Sequence, residues 1–162
     1  MTSLLTTDEV ATDAGVRTVL VVDDHQSFAD MLSAALNTVD GLTCVATAVT
    51  AAEGIALAAR LRPSIVIMDI QMPGQDGLMA TRKIREVAPD TLIAVVTAHR
   101  DQEWIARAAQ AGASAFITKN GSLLEMLDVL RRVHHGQLVV APSAYKSGPA
   151  LIPQPPPRRR PR

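Results

Sequence analysis

Five short apolar runs recur along the chain, and a segment with the apolar period of a helix follows each of them. Uninterrupted apolar runs of this length are typical of strands buried on both faces of a parallel sheet. The alternation therefore predicts an α/β fold, with a five-stranded parallel sheet that carries helices on both faces. The predicted strands are residues 18–22, 42–47, 64–68, 92–96 and 114–118.

The segments between the runs each show one apolar face. In the first of them the apolar positions fall at i, i+3, i+4, i+7 and i+8, the spacing of an amphipathic helix that packs against a sheet. These positions are Phe28, Met31, Leu32, Ala35 and Leu36. Capping and helix-ending residues agree with this reading. Pro63, Pro89, Gly112 and Gly136 are expected to end the second to fifth helices, and Asp101 and Ser122 to cap the fourth and fifth.

The globular domain predicted from these signals covers residues 17–137. Residues 1–16 show no regular pattern and are expected to be disordered. Residues 138–162 are expected to form a Pro/Arg-rich linker or disordered tail, since seven of the ten prolines lie at or beyond Pro142. A chain of 162 residues with 48% apolar composition provides one domain and no second core.

Charge and cysteine content narrow the class of protein. Of the 16 basic and 16 acidic residues, five basic and no acidic ones lie in residues 143–162, which leaves 11 against 16 in the rest. The body is therefore acidic, and the terminal "RRRPR" favours only salt-sensitive, nonspecific contact with nucleic acid. The single Cys44 excludes an internal disulfide, so a reducing, cytoplasmic setting is expected. No apolar run approaches the length of about 18 residues that a membrane span needs.

Polar residues end four of the five predicted strands: Asp23 and Asp24, Asp69, Thr97 and Lys119. The carboxyl ends of parallel strands meet at one edge of the sheet, where ligands bind. Three carboxylates at one edge repel one another unless a cation lies among them, and Mg²⁺ prefers such oxygen ligands. A carboxylate beside that ion can attack a phosphoryl donor, with the Lys119 and Thr97 side chains as partners of the transferred group.

Taken one at a time, the same residues have simpler interpretations. Asp24 or Asp76 alone would be a helix cap, Thr97 a β-branched strand end and Lys119 a solvated amine. His25 is expected to be a loop or first-turn residue, because imidazole suits softer metal ions than Mg²⁺. Their joint placement at the strand ends is what favours a functional site.

The motifs "VVDD", "MDIQMPGQDG", "VVTA" and "GASAFITK" resemble the receiver domain of two-component response regulators, over residues 17–137. The resemblance implies a doubly wound, flavodoxin-like fold with strand order 2-1-3-4-5. "DDHQ" and "GASAFITKNGSLLEMLDVLRRVHHGQ" are similar to the NarL/FixJ subfamily, which joins a receiver to a LuxR-type helix-turn-helix. No segment after Pro142 is expected to form such a domain, so DNA binding is expected only through a domain absent from this chain.

The resemblance assigns roles residue by residue. It makes Asp69 the acceptor of a phosphoryl group from a sensor histidine kinase. It makes Asp23, Asp24, Asp69 and the backbone carbonyl of Gln71 the ligands of Mg²⁺ or Mn²⁺. Lys119 would pair with the phosphoryl group or with Asp69.

The resemblance also implies a switch and an output. Thr97 would move toward the phosphoryl oxygens, and Phe116 would turn inward behind it. The face made by the fourth helix, fifth strand and fifth helix would then change its binding preference, with homodimerisation and transcriptional regulation as outputs. The first and fifth helices are an alternative dimer surface.

Two other functions stay open at this stage. Asn120 follows the lysine where the family often has a cis proline, and a trans peptide is expected here because a cis bond before a non-proline residue is costly. This difference suggests a receiver that works without phosphorylation. An aspartyl-phosphate phosphatase would need an acid two residues after its nucleophile, where this chain has Gln71, so no enzyme acting on exogenous substrates is expected.

Overall fold

The structure, a computed structural model, describes residues 15–98 and 101–145. All five predicted strands are present, with ends within one residue of the predicted ones. The strands are β1 Arg17–Val22, β2 Leu42–Ala48, β3 Ile65–Asp69, β4 Leu92–Thr97, β5 Ala115–Thr118 and β6 Val139–Val140. The helices are α1 Gln26–Thr38, α2 Ala51–Leu61, α3 Gly77–Val87, α4 Gln102–Ala111 and α5 Leu123–Arg132, followed by a 3₁₀ turn at Pro142–Ala144.

The strands form one sheet in the order β2-β1-β3-β4-β5-β6, and every pairing is parallel. The order predicted for the first five strands is confirmed, but the prediction of a five-stranded sheet is wrong. The sixth strand, β6, pairs with β5 at the outer edge of the sheet, with Val139 opposite Ala115 and Val140 opposite Phe116.

Residues 138–145 accordingly pack on the domain, although a linker was predicted to begin at residue 138. Ala141 and Ala144 are fully buried, and the Ala141 N–H donates to the Phe116 carbonyl (2.9 Å). Burial of these small side chains and the added backbone hydrogen bonds hold residues 138–144 against β5. The expected disorder of residues 1–14 and 146–162, including "RRRPR", concerns residues outside the described ranges.

Successive side chains of each strand point to opposite faces of the sheet, which produces two cores. Val19 and Val21 of β1 pack in the core under α1 and α5. Leu20 and Val22 pack in the other core, under α2, α3 and α4. Because β3 and β4 are buried along their whole length, their carboxyl ends are held rigidly where the polar residues begin.

Helix α5 ends earlier than predicted. Ser122 caps its start, accepting the N–H of the residue three positions on, but the helix stops at Arg132 and not at Gly136. Val133 leaves the helical conformation with φ −61° and ψ 137° and buries its side chain completely. The Arg17 guanidinium donates to the Val133 carbonyl (2.6 Å), which satisfies an acceptor at the helix end.

None of the helices within residues 15–98 and 101–145 is both long and apolar enough to cross a bilayer.

Candidate functional site

Two buried carboxylates lie at the centre of the carboxyl edge of the sheet. Asp23 directly follows β1 and Asp69 ends the neighbouring strand β3, and the two residues are 2% and 1% exposed. Each carboxylate accepts the backbone N–H of the residue two positions on, His25 to Asp23 (2.8 Å) and Gln71 to Asp69 (2.8 Å). These local hydrogen bonds fix the direction in which both carboxylates point.

Lys119, just beyond β5, reaches both of these carboxylates. Its Nζ atom lies 2.7 Å from Asp23 Oδ2 and 3.0 Å from Asp69 Oδ2. The ammonium also stands 4.7 Å from the centroid of the Phe28 ring on α1, within the range of a cation–π contact. The peptide between Lys119 and Asn120 is trans, as expected, because the described residues contain no cis bond. Asn120 in place of proline therefore leaves the reach of the lysine intact.

The surroundings shift the acid–base behaviour of both partners. Burial raises the pKa of Asp69, and the hydrogen bonds from the Gln71 N–H and Lys119 offset this only in part. Burial on its own would lower the pKa of Lys119, but hydrogen bonds and charge from Asp23 and Asp69 outweigh it and raise that pKa. The charged, protonated form of Lys119 is thus favoured, whereas burial disfavours the charged form of Asp69.

Asp24 and His25 complete an acidic cluster around this pair. Ligand atoms of Asp23, Asp24, His25 and Asp69 lie within 4.8 Å of one another. Two buried oxygens, Asp23 Oδ2 and Asp24 Oδ1, accept no well-aligned hydrogen bond from any described residue, although Lys119 Nζ and His25 Nδ1 lie near them. Even with Lys119 ion-paired to Asp23, each of these carboxylate oxygens has a further lone pair to offer, so the carboxylates fit a hard divalent cation.

His25 lies at the edge of the cluster and not inside it. Its side chain is 64% exposed, with Nδ1 at 3.2 Å from Asp23 Oδ1 and 3.3 Å from Asp24 Oδ1. The residue occupies the N-cap position of α1, which agrees with the predicted loop or first-turn place. Its contact with both acids is not part of that prediction, and the only sequence signal for it is the adjacency in "DDH".

Thr97 and Phe116 occupy the strands on the far side of Asp69. Thr97 ends β4 fully buried, and its Oγ1 donates to Gln71 Oε1 (3.1 Å). Phe116 is also fully buried, on β5 beside β6. The role predicted for Gln71 involves its backbone carbonyl alone, and no spacing rule reveals the side-chain contact with Thr97.

The loop after Asp69 begins with a tight turn. The Gln75 N–H donates to the Met72 carbonyl (3.1 Å), and Gly74 has φ +69°. Pro73 followed by a residue with positive φ is the pattern of a type II turn, which explains the sequence "MPGQ". The side chain of Gln75 then accepts the N–H of Ala51, tying the loop to the start of α2.

The start of α3 passes directly beneath the end of β3. Asp76 caps the helix by accepting the N–H of Leu78 (3.0 Å), as the simple interpretation of this acid predicted. A Cβ atom on Gly77 would lie 2.5 Å from Ile70 Cα and 2.6 Å from the carbonyl oxygen of Asp69. Glycine at this position therefore allows the helix to approach the strand that carries Asp69.

A doubly wound parallel sheet with two carboxylates and a lysine at its carboxyl edge defines a receiver domain. The sequence model of the family described as "Response regulator receiver domain" matches residues 19–131. The chain belongs to this family.

Comparison with individual proteins supports the same family. Response regulator GacA of Pseudomonas aeruginosa is 39% identical over 124 residues, which cover 76% of this chain and 58% of that protein. Oxygen regulatory protein NreC of Staphylococcus carnosus is 33% identical over 130 residues, covering 80% and 60%. The crystal structure of a LuxR-family two-component response regulator from Aurantimonas sp. SI85-9A1 superposes with a TM-score of 0.74 at 29% identity, covering 80% and 92%. The chain spans about three-fifths of the length of the curated relatives it matches.

Proposed function

We propose that Asp69 accepts a phosphoryl group from the phosphohistidine of a sensor histidine kinase. The observation that carries this proposal is the ion pair between the buried Asp69 carboxylate and the Lys119 ammonium, 3.0 Å apart at the carboxyl edge of the sheet. A carboxylate in this position can act as a nucleophile. The transfer breaks the phosphorus–nitrogen bond of the donor and forms a phosphorus–oxygen bond to Asp69. The leaving imidazole nitrogen keeps the electron pair and takes up a proton from solvent.

Asp23, Asp24, Asp69 and the Gln71 carbonyl would hold Mg²⁺, or Mn²⁺ in its place. The two buried oxygens without well-aligned hydrogen bonds support this assignment. The ion supplies positive charge that reduces the repulsion between the carboxylates and an incoming phosphoryl group. Lys119 orients Asp69 before transfer and neutralises phosphoryl charge afterwards. The Thr97 hydroxyl provides a second donor.

The phosphoryl group would control output through Thr97 and Phe116. Movement of Thr97 toward Asp69, and inward repacking of the already buried Phe116 into the space that Thr97 vacates, would alter the face formed by α4, β5 and α5. That change would favour homodimerisation in the cytoplasm. In a longer protein that joins this receiver to a LuxR-type helix-turn-helix domain it would regulate transcription, with DNA bound by that second domain.

The site does not favour turnover of exogenous phosphate esters. A phosphatase on a similar sheet uses an acid two residues after its nucleophile to transfer protons. Here that position is Gln71, whose Oε1 accepts hydrogen bonds from Thr97 and from the Ala98 N–H. The Gln71 amide can act as neither general acid nor general base near neutral pH, so phosphoryl transfer should end on the chain's own Asp69.

Intact-mass spectrometry with Mg²⁺ and acetyl phosphate tests the acceptor. We expect one phosphoryl adduct, which is lost in Asp69→Asn and kept in the matched control Asp90→Asn. Asp90 is an exposed acid between α3 and β4, at the opposite edge of the sheet. A wild-type protein that forms no adduct would instead favour a receiver that works without phosphorylation. An adduct that persists in Asp69→Asn would place the acceptor on another residue and refute the role of Asp69.

A further inference from the structure

The backbone of Ala98, the first residue after β4, is held by side-chain amides from two other loops. Its N–H donates to Gln71 Oε1 (2.8 Å), and its carbonyl accepts from Asn120 Nδ2 (3.3 Å). The same Gln71 oxygen accepts the Thr97 hydroxyl (3.1 Å). We propose that Gln71 and Asn120 form an amide clamp on Ala98. This clamp holds Thr97 in the position of the unphosphorylated protein and so sets the equilibrium between the unphosphorylated and activated arrangements.

The clamp and the phosphoryl group compete for one proton. A threonine hydroxyl has a single O–H to donate. While Thr97 donates to Gln71 Oε1, that proton is not available to a phosphoryl oxygen on Asp69. The Ala98 N–H also fixes the orientation of the Gln71 amide, because it needs an acceptor and only the oxygen end of the amide provides one. Gln71 is thus a positioning residue that acts through Thr97.

Asn120 supplies the other half of the clamp. Its backbone N–H donates to Thr118 Oγ1 (3.2 Å) while its side chain reaches Ala98. The loop after β5 is thereby joined to the loop after β4. Proline at this position would offer neither donor. The substitution of asparagine for the proline frequent in the family is therefore what allows this contact.

Removing the clamp should shift the switch toward its activated arrangement. A hydrogen bond contributes enough net free energy to change a two-state equilibrium by roughly 2- to 12-fold. The apparent affinity of a ligand improves as its competent state becomes more populated. A phosphoryl mimic should therefore bind more tightly once the bonds that favour the unphosphorylated state are gone. This inference rests on the proposed function of Asp69 and Thr97.

The first test measures beryllofluoride binding in excess Mg²⁺ by ¹⁹F NMR. We expect Gln71→Met to tighten binding roughly 2- to 12-fold, and Asn120→Ala to act in the same direction but less, since its bond is longer and exposed. In a Thr97→Val background the effect of Gln71→Met should shrink, because the contested hydroxyl is absent. Unchanged or weaker binding in Gln71→Met, or an equal effect in both backgrounds, would overturn the proposal.

Amide hydrogen exchange of the unliganded protein tests the clamp without phosphoryl chemistry. Although Ala98 is exposed, we expect its amide to be protected in the wild type and to exchange several-fold faster in Gln71→Met. Gln71→Glu keeps the acceptor oxygen and should retain protection. Equal exchange in wild type and Gln71→Met would show that the clamp is not formed. Protection of Ala98 in a protein that fails to bind beryllofluoride would refute the proposed function and reduce the clamp to a structural brace.

Discussion

Replacing Gly77 by alanine tests whether helix α3 and the strand bearing Asp69 are in backbone contact. Helix propensity alone favours alanine over glycine by up to about 1 kcal/mol. Sterically, the new Cβ would lie 2.5 Å from Ile70 Cα, about 1 Å inside an ordinary carbon–carbon contact. The two nearest atoms, Ile70 Cα and the Asp69 carbonyl oxygen, belong to the main chain and cannot rotate away. Overpacking costs about 1–3 kcal/mol, and a clash with rigid main-chain atoms belongs at the upper end of that range. A cost of about 3 kcal/mol less a helix-propensity gain of about 1 kcal/mol leaves an expected net loss of roughly 2 kcal/mol.

Urea unfolding of Gly77→Ala and of a matched variant, Gly74→Ala, measures this contact. Gly74 has φ +69° and open space where its Cβ would stand, so its replacement carries only the left-handed backbone cost of roughly 1–2 kcal/mol. Because the clash at Gly77 involves the Asp69 carbonyl, the rate of phosphorylation should fall in Gly77→Ala as well. A Gly77→Ala protein as stable as the wild type would refute the reasoning, since propensity would then outweigh the clash.

Three further predictions follow from the site and from α5. In the absence of metal, Asp69→Asn should raise the Tm measured in thermal scans, because a desolvated charge is removed. Mg²⁺ at about a hundred times its Kd should stabilise the wild type by ~2.7 kcal/mol but leave the Tm of the variant unchanged. Since burial raises the pKa of Asp69 above its ordinary 3.8, the stability linked to this group is present below that pH and is lost as the pH rises through the folded pKa. The advantage of Asp69→Asn in urea unfolding with a chelator should therefore grow from pH 4 to pH 7, and a constant difference would contradict the shift. Ser122→Ala should cost about 1 kcal/mol through loss of the α5 cap, with little change in phosphorylation measured by intact mass, and an unchanged urea midpoint would count against the cap.

The convergence of the polar residues could be predicted from the sequence because two simple rules fix it. Continuous apolar runs identify buried strands, and parallel direction places all their carboxyl ends at one edge. Asp23, Asp69 and Lys119 were therefore expected to meet, and Lys119 Nζ lies 2.7 Å from an Asp23 oxygen and 3.0 Å from an Asp69 oxygen.

Other features depend on contacts that no local pattern encodes. The strand at Val139–Val140 has two residues, too few to show any periodicity, and exists because β5 offers it a partner. The early end of α5 depends on Arg17, 116 positions away in the chain from the carbonyl that it binds. The hydrogen bond from Thr97 to the Gln71 side chain likewise joins two loops that are adjacent only in the folded chain.

The two-residue strand β6 also determines where this domain can safely be shortened. Val139 and Val140 cover the outer side of β5, a strand whose residues are all buried. A fragment ending at Gln137 would leave the outward-facing N–H and C=O groups of β5 unpaired. They could then pair with a strand of another copy, which is how edge-to-edge aggregation usually starts. A boundary after Tyr145 keeps this edge of β5 covered. A shortened domain must therefore include residues 138–145, eight residues that the apolar pattern of the chain gives no reason to keep.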